Sequence, residues 1–349
     1  MTMSKTWEAS LLSKDATMQD AIKTLNTSTI KLVCLVDSNF KLAGVITDGD
    51  IRRAIVAGKT LESSVREFMC FTPITFRASD TKAKRRKAFE AHKLLYIPVI
   101  DEQSKVINID ISQSISVFAQ SNTVFLMAGG YGTRLRPLTE VCPKPLLTVG
   151  SKPILETIID SFVHYGFHEF KISVHYLAEQ IKGHFKNGEQ FGVDIDYVEE
   201  SSPLGTAGAL SLLPMQDKPL ILMNGDLLTK VDFRELLAYH VSEKAKVTMC
   251  VREYEYQVPY GVIQADNNEV KQVIEKPVEK YFVNAGIYVI SPEVVNRLEK
   301  GSYKDMPDLI NECLAHNEKV AMFPIHEYWL DIGRMADFER AQIDFMHNF

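Results

Sequence analysis

Phosphate chemistry is written most densely between Phe125 and Pro153, FLMAGGYGTRLRPLTEVCPKPLLTVGSKP. An apolar run, Val124 to Ala128, is short enough for a buried strand and breaks into Gly129, Gly130 and Gly132, followed by Arg134, Arg136 and Lys144. Glycines let backbone N–H groups approach an anion closely, an arginine adds a planar fork of donors and a lysine adds a mobile point charge. A lone GGxG recurs by chance, but here it sits inside a longer string of cations and prolines. It is not the phosphate loop GxxxxGK[ST], which is absent, nor a dinucleotide GxGxxG, because Arg134 and Leu135 occupy the place of the last glycine. Downstream, Asp226 closes the apolar run Leu220 to Asn224, and Asp331 follows Tyr328, Trp329 and Leu330. Two carboxylates that one fold could bring together suit a divalent cation, which prefers hard oxygen ligands and phosphate oxygens beside them.

These residues need a scaffold, and the chain from Val124 onward alternates the elements of one. Helices are expected near Ile154 to Tyr165, Ala178 to Phe185 and Ala207 to Leu213, and strands at Lys171 to Val174, Ile195 to Glu199 and Leu220 to Asn224. Such alternation means a mostly parallel sheet covered on both faces, with ligands at the carboxyl ends of its strands. Beyond Lys246 the strands crowd together (Val247 to Val251, Gly261 to Gln264, Val270 to Glu275, Ala285 to Ile290), which suggests added antiparallel strands and a substrate-side extension of the core. The expected fold class is α/β, Rossmann-like, over residues 121–349, with a separate βα-repeat module over 1–120.

That module shows when the sequence is slid against itself by 64 positions: Thr17 falls on Thr81, Leu25 on Phe89, Leu35-Val36-Asp37 on Val99-Ile100-Asp101 and Lys41 on Lys105. Each copy reads helix, strand, turn, strand. In the first, Thr17 and Asp20 form a capping-box start, and Met18, Ala21, Ile22 and Leu25 recur at helical spacing. Strands follow at Leu32 to Val36 and Leu42 to Ile46, and a helix opens at TDGDIRRAIVAG with Thr47 or Asp48 as N-cap and Gly58 as its end. AQSNT, Ala119 to Thr123, is a short polar connection to the second domain.

Composition narrows the class. At 349 residues and 46% hydrophobic content, the chain can bury a core in each of two domains. With 39 basic against 45 acidic residues, a net charge of -6, a nucleic-acid surface is not expected, and the run KAKRRK from Lys82 to Lys87 reads as a solvated helix face. Five scattered cysteines without CxxC spacing fit reduced thiols in a cytoplasmic protein. No signal-peptide core and no apolar run of ~18 residues are present, so no membrane span is expected.

The glycine string resembles the signature of the sugar-phosphate nucleotidylyltransferases, roughly GGxGTRLxPLTxxxPKPLxxxxxKP, and meets every fixed position of it. Four further islands follow in the family's order: SSPLGTAGAL from Ser201, NGDLL from Asn224, IEKP with NAGIYV, and WLDIG from Trp329. The resemblance implies a nucleoside triphosphate and a sugar 1-phosphate as substrates and Mg²⁺ as cofactor. It implies Arg134, Lys144 and Asp226 as catalytic residues, with Asp226 and Asp331 holding the metal. Nucleotide contacts would come from Met127, Ala128, Gly129, Gly130, Gly132, Thr133, Glu200, Gly205 and Thr206, and sugar-phosphate contacts from Gly261, Glu275, Lys276 and Asn284.

Glu200 stands where family members that use pyrimidine nucleotides present a glutamine to the base. An ionised glutamate only accepts, and guanine alone among the common bases offers two adjacent donors. GTP is therefore expected over UTP or dTTP, in keeping with the ETEPLGTAG-like string of the guanylyltransferases. The other reading turns Glu200 to solvent and leaves the base to backbone groups around Gly205.

The first 120 residues resemble a tandem pair of cystathionine-β-synthase-type (CBS) modules, carried by GVITDGDI, which matches the Gly-x-x-Thr-x-x-Asp ligand motif at Gly44, Thr47 and Asp50. A purine nucleotide there, and a structural cap needing no ligand, are both open. The second copy has Asn108, Ile111 and Ser114 in those places and is not expected to bind in the same way. A homo-oligomer is expected from paired modules with apolar faces. A transferase fold that has lost its chemistry and only senses nucleotides is the competing class, disfavoured because Arg134, Lys144, Asp226 and Asp331 are all present.

Overall fold

The computed structural model describes residues 6–28, 30–92, 94–112 and 120–348, so Ser114 and Ala119 lie outside the described residues. The chain divides into two compact units, the first taking in residues up to Ser121 with Phe162–His168 and Asp232–Tyr239, the second taking in the rest.

The first unit repeats one pattern twice. Strand β1 (Leu11–Ser13), helix α1 (Met18–Thr27), strands β2 (Leu32–Val36) and β3 (Leu42–Thr47) and helix α2 (Asp48–Val56) make the first copy. Strand β4 (Phe76–Arg77), helix α3 (Lys82–His92) and strands β5 (Tyr96–Ile100) and β6 (Val106–Ile111) make the second. In each, the outer strand runs parallel to the middle one and the last runs antiparallel to it. The repeat reaches fine detail, because the ladder slips between Leu35 and Val36 in one copy and between Val99 and Ile100, 64 residues on, in the other. Asp37 and Asp101 each accept two backbone N–H groups of the following turn, and Phe40 and Ser104 both take positive φ.

The two copies meet through those turns. Leu42 N–H donates to Ser104 C=O (2.9 Å) and Val106 N–H to Phe40 C=O (3.1 Å), a reciprocal pair that also obeys the offset of 64. Strand β2 explains its unbroken LVCLV by facing two cores: Val33 and Leu35 pack with α1 and α2, whereas Leu32, Cys34 and Val36 join Ile100, Val106 and Ile109 of the second copy. Helix α1 buries Met18, Ala21 and Leu25, spaced for one face, and starts on the expected box: Asp20 accepts from Thr17 N–H (3.0 Å) and Thr17 Oγ1 from Asp20 N–H (3.3 Å). KAKRRK falls on α3, where Lys84 and Lys87 are exposed and Arg85 pairs with Asp110 at 2.6 Å.

The second unit is built on strands β7 (Val124–Met127), β10 (Glu169–Val174), β11 (Asp194–Glu199), β12 (Leu220–Asn224), β14 (Val247–Gln257), β17 (Val278–Ile290) and β18 (Val320–Pro324). They form one sheet in the order β11-β10-β7-β12-β17-β14-β18. The first four are parallel; β17 runs against both β12 and β14, and β18 is parallel to β14. Two-stranded antiparallel pairs complete the strands: the hairpins β8 (Thr148–Val149) with β9 (Lys152–Pro153) and β15 (Val262–Asp266) with β16 (Glu269–Ile274), and the long-range pair β13 (Leu227–Thr229) with β19 (Trp329–Asp331). Helices α4 (Ile154–His164), α5 (Ala178–Phe185), α6 (Gly205–Gly208), α7 (Phe233–Glu243), α8 (Pro292–Asn296), α9 (Met306–Ala315) and α10 (Met335–Asn348) connect them. One core joins Phe125, Leu220, Leu222, Tyr288 and Ile290 of the sheet to Ala207 and Leu210 after β11 and to Met306, Leu309 and Cys313 of α9.

Two expectations change. The helix foreseen over Ala207 to Leu213 is α6 followed by a 3-10 turn over Ala209–Leu212, because the segment folds down onto the residues before α9 instead of running freely. Strands β14 and β17 run well past the sheet, pairing Arg252 to Gln257 with Val283 to Val278 as a two-stranded ribbon, where only the buried parts were foreseen.

Candidate active site

Strand β7 points its carboxyl end at a cavity of about 450 Å³, the place where parallel sheets open for ligands. Met127, Ala128, Gly129, Gly130, Gly132, Thr133 and Arg134 line one side, and Glu200, Gly205 and Thr206 another. Lys144 and Asp226 form part of its wall. All the nucleotide-side and catalytic residues singled out in the sequence thus share one cavity.

The loop is shaped by Gly132, whose φ is +61°; a Cβ there would lie 2.9 Å from Thr139 Cγ2 and 3.2 Å from Lys144 Cβ. Thr139 locks the turn by donating from Oγ1 to Gly132 C=O (2.8 Å). The loop is thereby closed over the segment that carries Lys144. That lysine is 8% exposed and its Nζ is ion-paired with Asp226 Oδ2. A buried lysine is tolerated because the carboxylate compensates its charge.

Asp226 and Asp331 are brought together by the β13–β19 pairing, in which Leu227 sits opposite Asp331 and Ile332 N–H donates to Asp226 C=O (3.1 Å). Burial, and then the charge of Asp226, push the Asp331 carboxyl above the usual carboxylate range, partly offset by Lys144 and Arg134. On each aspartate, Oδ1 is buried without a hydrogen-bond partner. Such an oxygen costs free energy as it stands and fits a hard divalent cation, which commonly takes one or two carboxylates and fills its remaining positions with water and phosphate. The donor set therefore fits a divalent metal ion.

The opposite wall was not foreseen. Ser173 and His175, at the end of β10, line the cavity together with Tyr131. Ser173 Oγ donates to Glu200 Oε1, and Leu204 N–H donates to Glu200 Oε2 at 2.9 Å. His175 Nδ1 donates to the Glu200 carbonyl (2.8 Å), which leaves Nε2 to accept from the Tyr131 hydroxyl (3.1 Å). Glu200 does not turn to solvent; both its carboxylate oxygens are held by hydrogen bonds on the cavity wall. The strand-end rule would have found Ser173 and His175, since SVHY leaves β10 at its carboxyl end.

The four sugar-side residues do not line this cavity. Gly261, Glu275 and Lys276 gather at the base of the β15–β16 hairpin, where a Cβ on Gly261 would stand 3.0 Å from Glu275 Oε2 and Lys276 N–H reaches Tyr260 C=O (3.3 Å). Asn284, on β17, donates to the Tyr288 hydroxyl and accepts from Gly286 N–H (2.9 Å).

At the first unit's candidate ligand motif, Asp50 Oδ2 accepts from both Thr47 N–H (2.9 Å) and Thr47 Oγ1 (2.7 Å), and Oδ1 from Arg53 (2.8 Å). A Cβ on Gly44 would meet Cys70 O at 2.7 Å, because the 69–70 segment pairs with β3 through Val45 and Cys70. In the second copy, Asn108 donates to Asp110 and Ile111 is exposed.

The nucleotidyl transferase family model matches residues 123–347, and the CBS domain model matches residues 10–57. The mannose-1-phosphate guanylyltransferase catalytic subunit beta of Drosophila melanogaster is 35% identical over 221 residues, 61% of this chain and 60% of the relative. The mannose-1-phosphate guanyltransferase of Yarrowia lipolytica is 35% identical over 222 residues, 61% of each. The chain thus spans about three fifths of the length of these curated relatives. In fold, it is similar to HddC from Yersinia pseudotuberculosis, with a TM-score of 0.52 at 23% identity over 64% of this chain and 99% of that one. No helix among the described residues is long and apolar enough to cross a membrane.

Proposed function

This chain belongs to the nucleotidyl transferase family, with a CBS domain ahead of the transferase domain, and we propose that it joins a nucleoside triphosphate to a sugar 1-phosphate. The observation that carries this is the buried Lys144–Asp226 pair beside a glycine loop, with a carboxylate oxygen of Asp226 and one of Asp331 buried without a hydrogen-bond partner. An oxygen of the sugar 1-phosphate forms a bond to the α-phosphorus, the bond from that phosphorus to the bridging oxygen of the β-phosphate breaks, and pyrophosphate leaves. Such in-line transfer needs positioning and charge neutralisation more than a covalent nucleophile.

The amides of Gly129 to Thr133 and the Arg134 guanidinium are suited to hold the pyrophosphate portion. Lys144, already desolvated, is suited to hold the charge that gathers on the α-phosphate. Asp226 and Asp331 would hold Mg²⁺, which when bound neutralises phosphate charge and orients the phosphate oxygens. Gly261, Glu275, Lys276 and Asn284, on the ribbon and its hairpin, are our candidates for the sugar phosphate and hydroxyls.

For the base we infer guanine. The similar relatives are named for guanylyl transfer, and Glu200 offers two fixed carboxylate oxygens, each with a lone pair left after Ser173 and Leu204 are served. Guanine N1–H and its amino group match that pair of acceptors, whereas uracil and thymine would set a carbonyl against it. Mannose 1-phosphate, by likeness to the same relatives, is our first candidate for the sugar. We further propose that 121–349 acts as the catalytic domain and 1–120 as a CBS pair, in a cytoplasmic homo-oligomer. For Gly44, Thr47 and Asp50 we infer capping and packing in place of a purine site, supported by the mutual satisfaction of Thr47, Asp50 and Arg53 and by the segment pressed on Gly44.

A pyrophosphate-release screen tests the reading: GTP, ATP, CTP, UTP and dTTP, each with mannose, glucose, galactose and glucosamine 1-phosphates in Mg²⁺. GTP with mannose 1-phosphate should be turned over fastest. Absence of pyrophosphate from every pair refutes the transferase reading, and a pyrimidine preference refutes the role given to Glu200.

A further inference from the structure

Thr206 lines the cavity, but its polar atoms are turned away from it. Its N–H donates to Asp305 Oδ1 (3.0 Å), its hydroxyl donates to the same oxygen (3.2 Å), and that hydroxyl accepts from Met306 N–H (2.8 Å). Asp305 Oδ2 is itself held by the Tyr303 hydroxyl (2.7 Å). The backbone follows the same line. Lys304 C=O accepts from Ala207 (2.9 Å) and Gly208 (3.0 Å), and Lys304 N–H donates to Leu204 C=O (2.9 Å).

Contact here is as close as backbone allows. Gly205 has φ +80°, and a Cβ on it would stand 2.6 Å from Lys304 O and 2.8 Å from Asp305 Oδ1. One added to Gly208 would stand 2.6 Å from Ser302 O. The glycines in PLGTAG are therefore needed for this strap, whatever the cavity holds. The strap leads into α9, which is anchored through Met306, Leu309 and Cys313 in the core beneath.

We propose that Asp305 is a positioning residue for the nucleotide half of the cavity: acting through Thr206, it fixes the turn that carries Leu204, Gly205 and the Leu204 amide that orients Glu200. It rests on the transferase reading given above. Thr206 then contributes through its strap to Asp305 and Met306 and not through a hydrogen bond to the nucleotide. The Tyr303 hydroxyl, and then the Thr206 amide, hold the Asp305 carboxyl below the usual carboxylate range, so the strap stays ionised and intact at neutral pH. Nucleotide affinity should depend on this remote carboxylate, and the sugar-phosphate side should not.

The test uses the full chain and compares wild type with Asp305→Ala, Asp305→Asn, Thr206→Val and the double variant Thr206→Val/Asp305→Ala. Asp305→Ala is expected to raise KM for GTP about tenfold, with kcat and KM for the sugar 1-phosphate within about twofold of wild type. Asp305→Asn keeps an acceptor for Thr206 and should recover most of the loss, and the double variant should be no worse than Asp305→Ala, since both remove one strap. Equilibrium binding of GTP, measured beside the kinetics, separates the two readings: a wild type that binds GTP without turnover refutes the transfer chemistry but still tests the strap. Unchanged GTP affinity in Asp305→Ala, equal rises in both KM values, or additive losses in the double variant would overturn the proposal.

Discussion

A carboxylate oxygen buried without a donor is a stored cost, and Asp226 and Asp331 each carry one. Asp331 has its pKa raised on folding, so what it contributes to stability is present at low pH and is lost as pH rises through the folded value. At neutral pH the ionised group is a liability. Asp331→Asn should therefore raise the melting temperature of the metal-free protein while lowering turnover at least about a hundredfold, and Mg²⁺ should stabilise wild type but not the variant. Differential scanning calorimetry with and without Mg²⁺ checks this. Glu200→Gln should reduce the ratio of kcat/KM for GTP over UTP by about tenfold or more, since the amide presents one donor where guanine needs acceptors; parallel kinetics with the two nucleotides decide it. His240 gives a different pH signature. It is buried between Thr248 Oγ1 (2.9 Å) and Ser291 Oγ (3.0 Å), and burial brings its pKa down to about 4. The unfolded chain then takes up a proton near pH 6.5 that the folded one refuses, so stability is full above that pH and falls by up to about 3 kcal/mol towards pH 4. Urea unfolding across that range should give a flatter profile for His240→Gln than for wild type. At this scale the sequence was informative where chemistry is local. Lys144 was legible from PKPL, but its pairing with Asp226 and the bracing of Glu200 by Ser173 depend on side chains far away in the chain, which no spacing announces.

Elements were legible wherever one periodicity ruled. Strands β2 and β12 and helix α5 fall where apolar runs and helical spacing put them, because each is buried on a simple pattern. The ribbon of β14 and β17 is not legible in the sequence because its partly apolar faces, with Tyr254 opposite Tyr281, alternate with Glu253, Glu255 and Lys280 and are exposed. Without burial there is no binary pattern to read, only cross-strand pairs such as Lys280 with Glu255 at 2.7 Å. Helix α6 is shorter than its sequence predicts, since its end is dictated by Lys304 and Asp305, about a hundred residues on. Caps, by contrast, are local and were foreseen. Thr17→Ala should destabilise the first unit by ~1 kcal/mol through the lost α1 cap. Asp50→Ala should do the same at α2 and leave calorimetric titrations with AMP, ADP and ATP unchanged; loss of a binding signal would restore the purine reading for that motif.

In the whole molecule, the repeat offset of 64 residues proved to be a rule of assembly as well as of sequence, since the same offset relates the bulges, the turns and a reciprocal pair of hydrogen bonds between the copies. The seam is apolar behind those bonds, with Val36, Val45, Ile100, Val106 and Ile109 buried together. Ile100→Ala and Ile109→Ala should each cost ~2 to 4 kcal/mol in denaturant unfolding, although the matched CBS model ends before either residue. A reciprocal contact of this kind is what two identical subunits make around a twofold axis, and here both halves are supplied by one chain. The partner's local concentration is therefore set by the length of the tether between the copies and not by how much protein is in solution. Dilution cannot pull this pair apart.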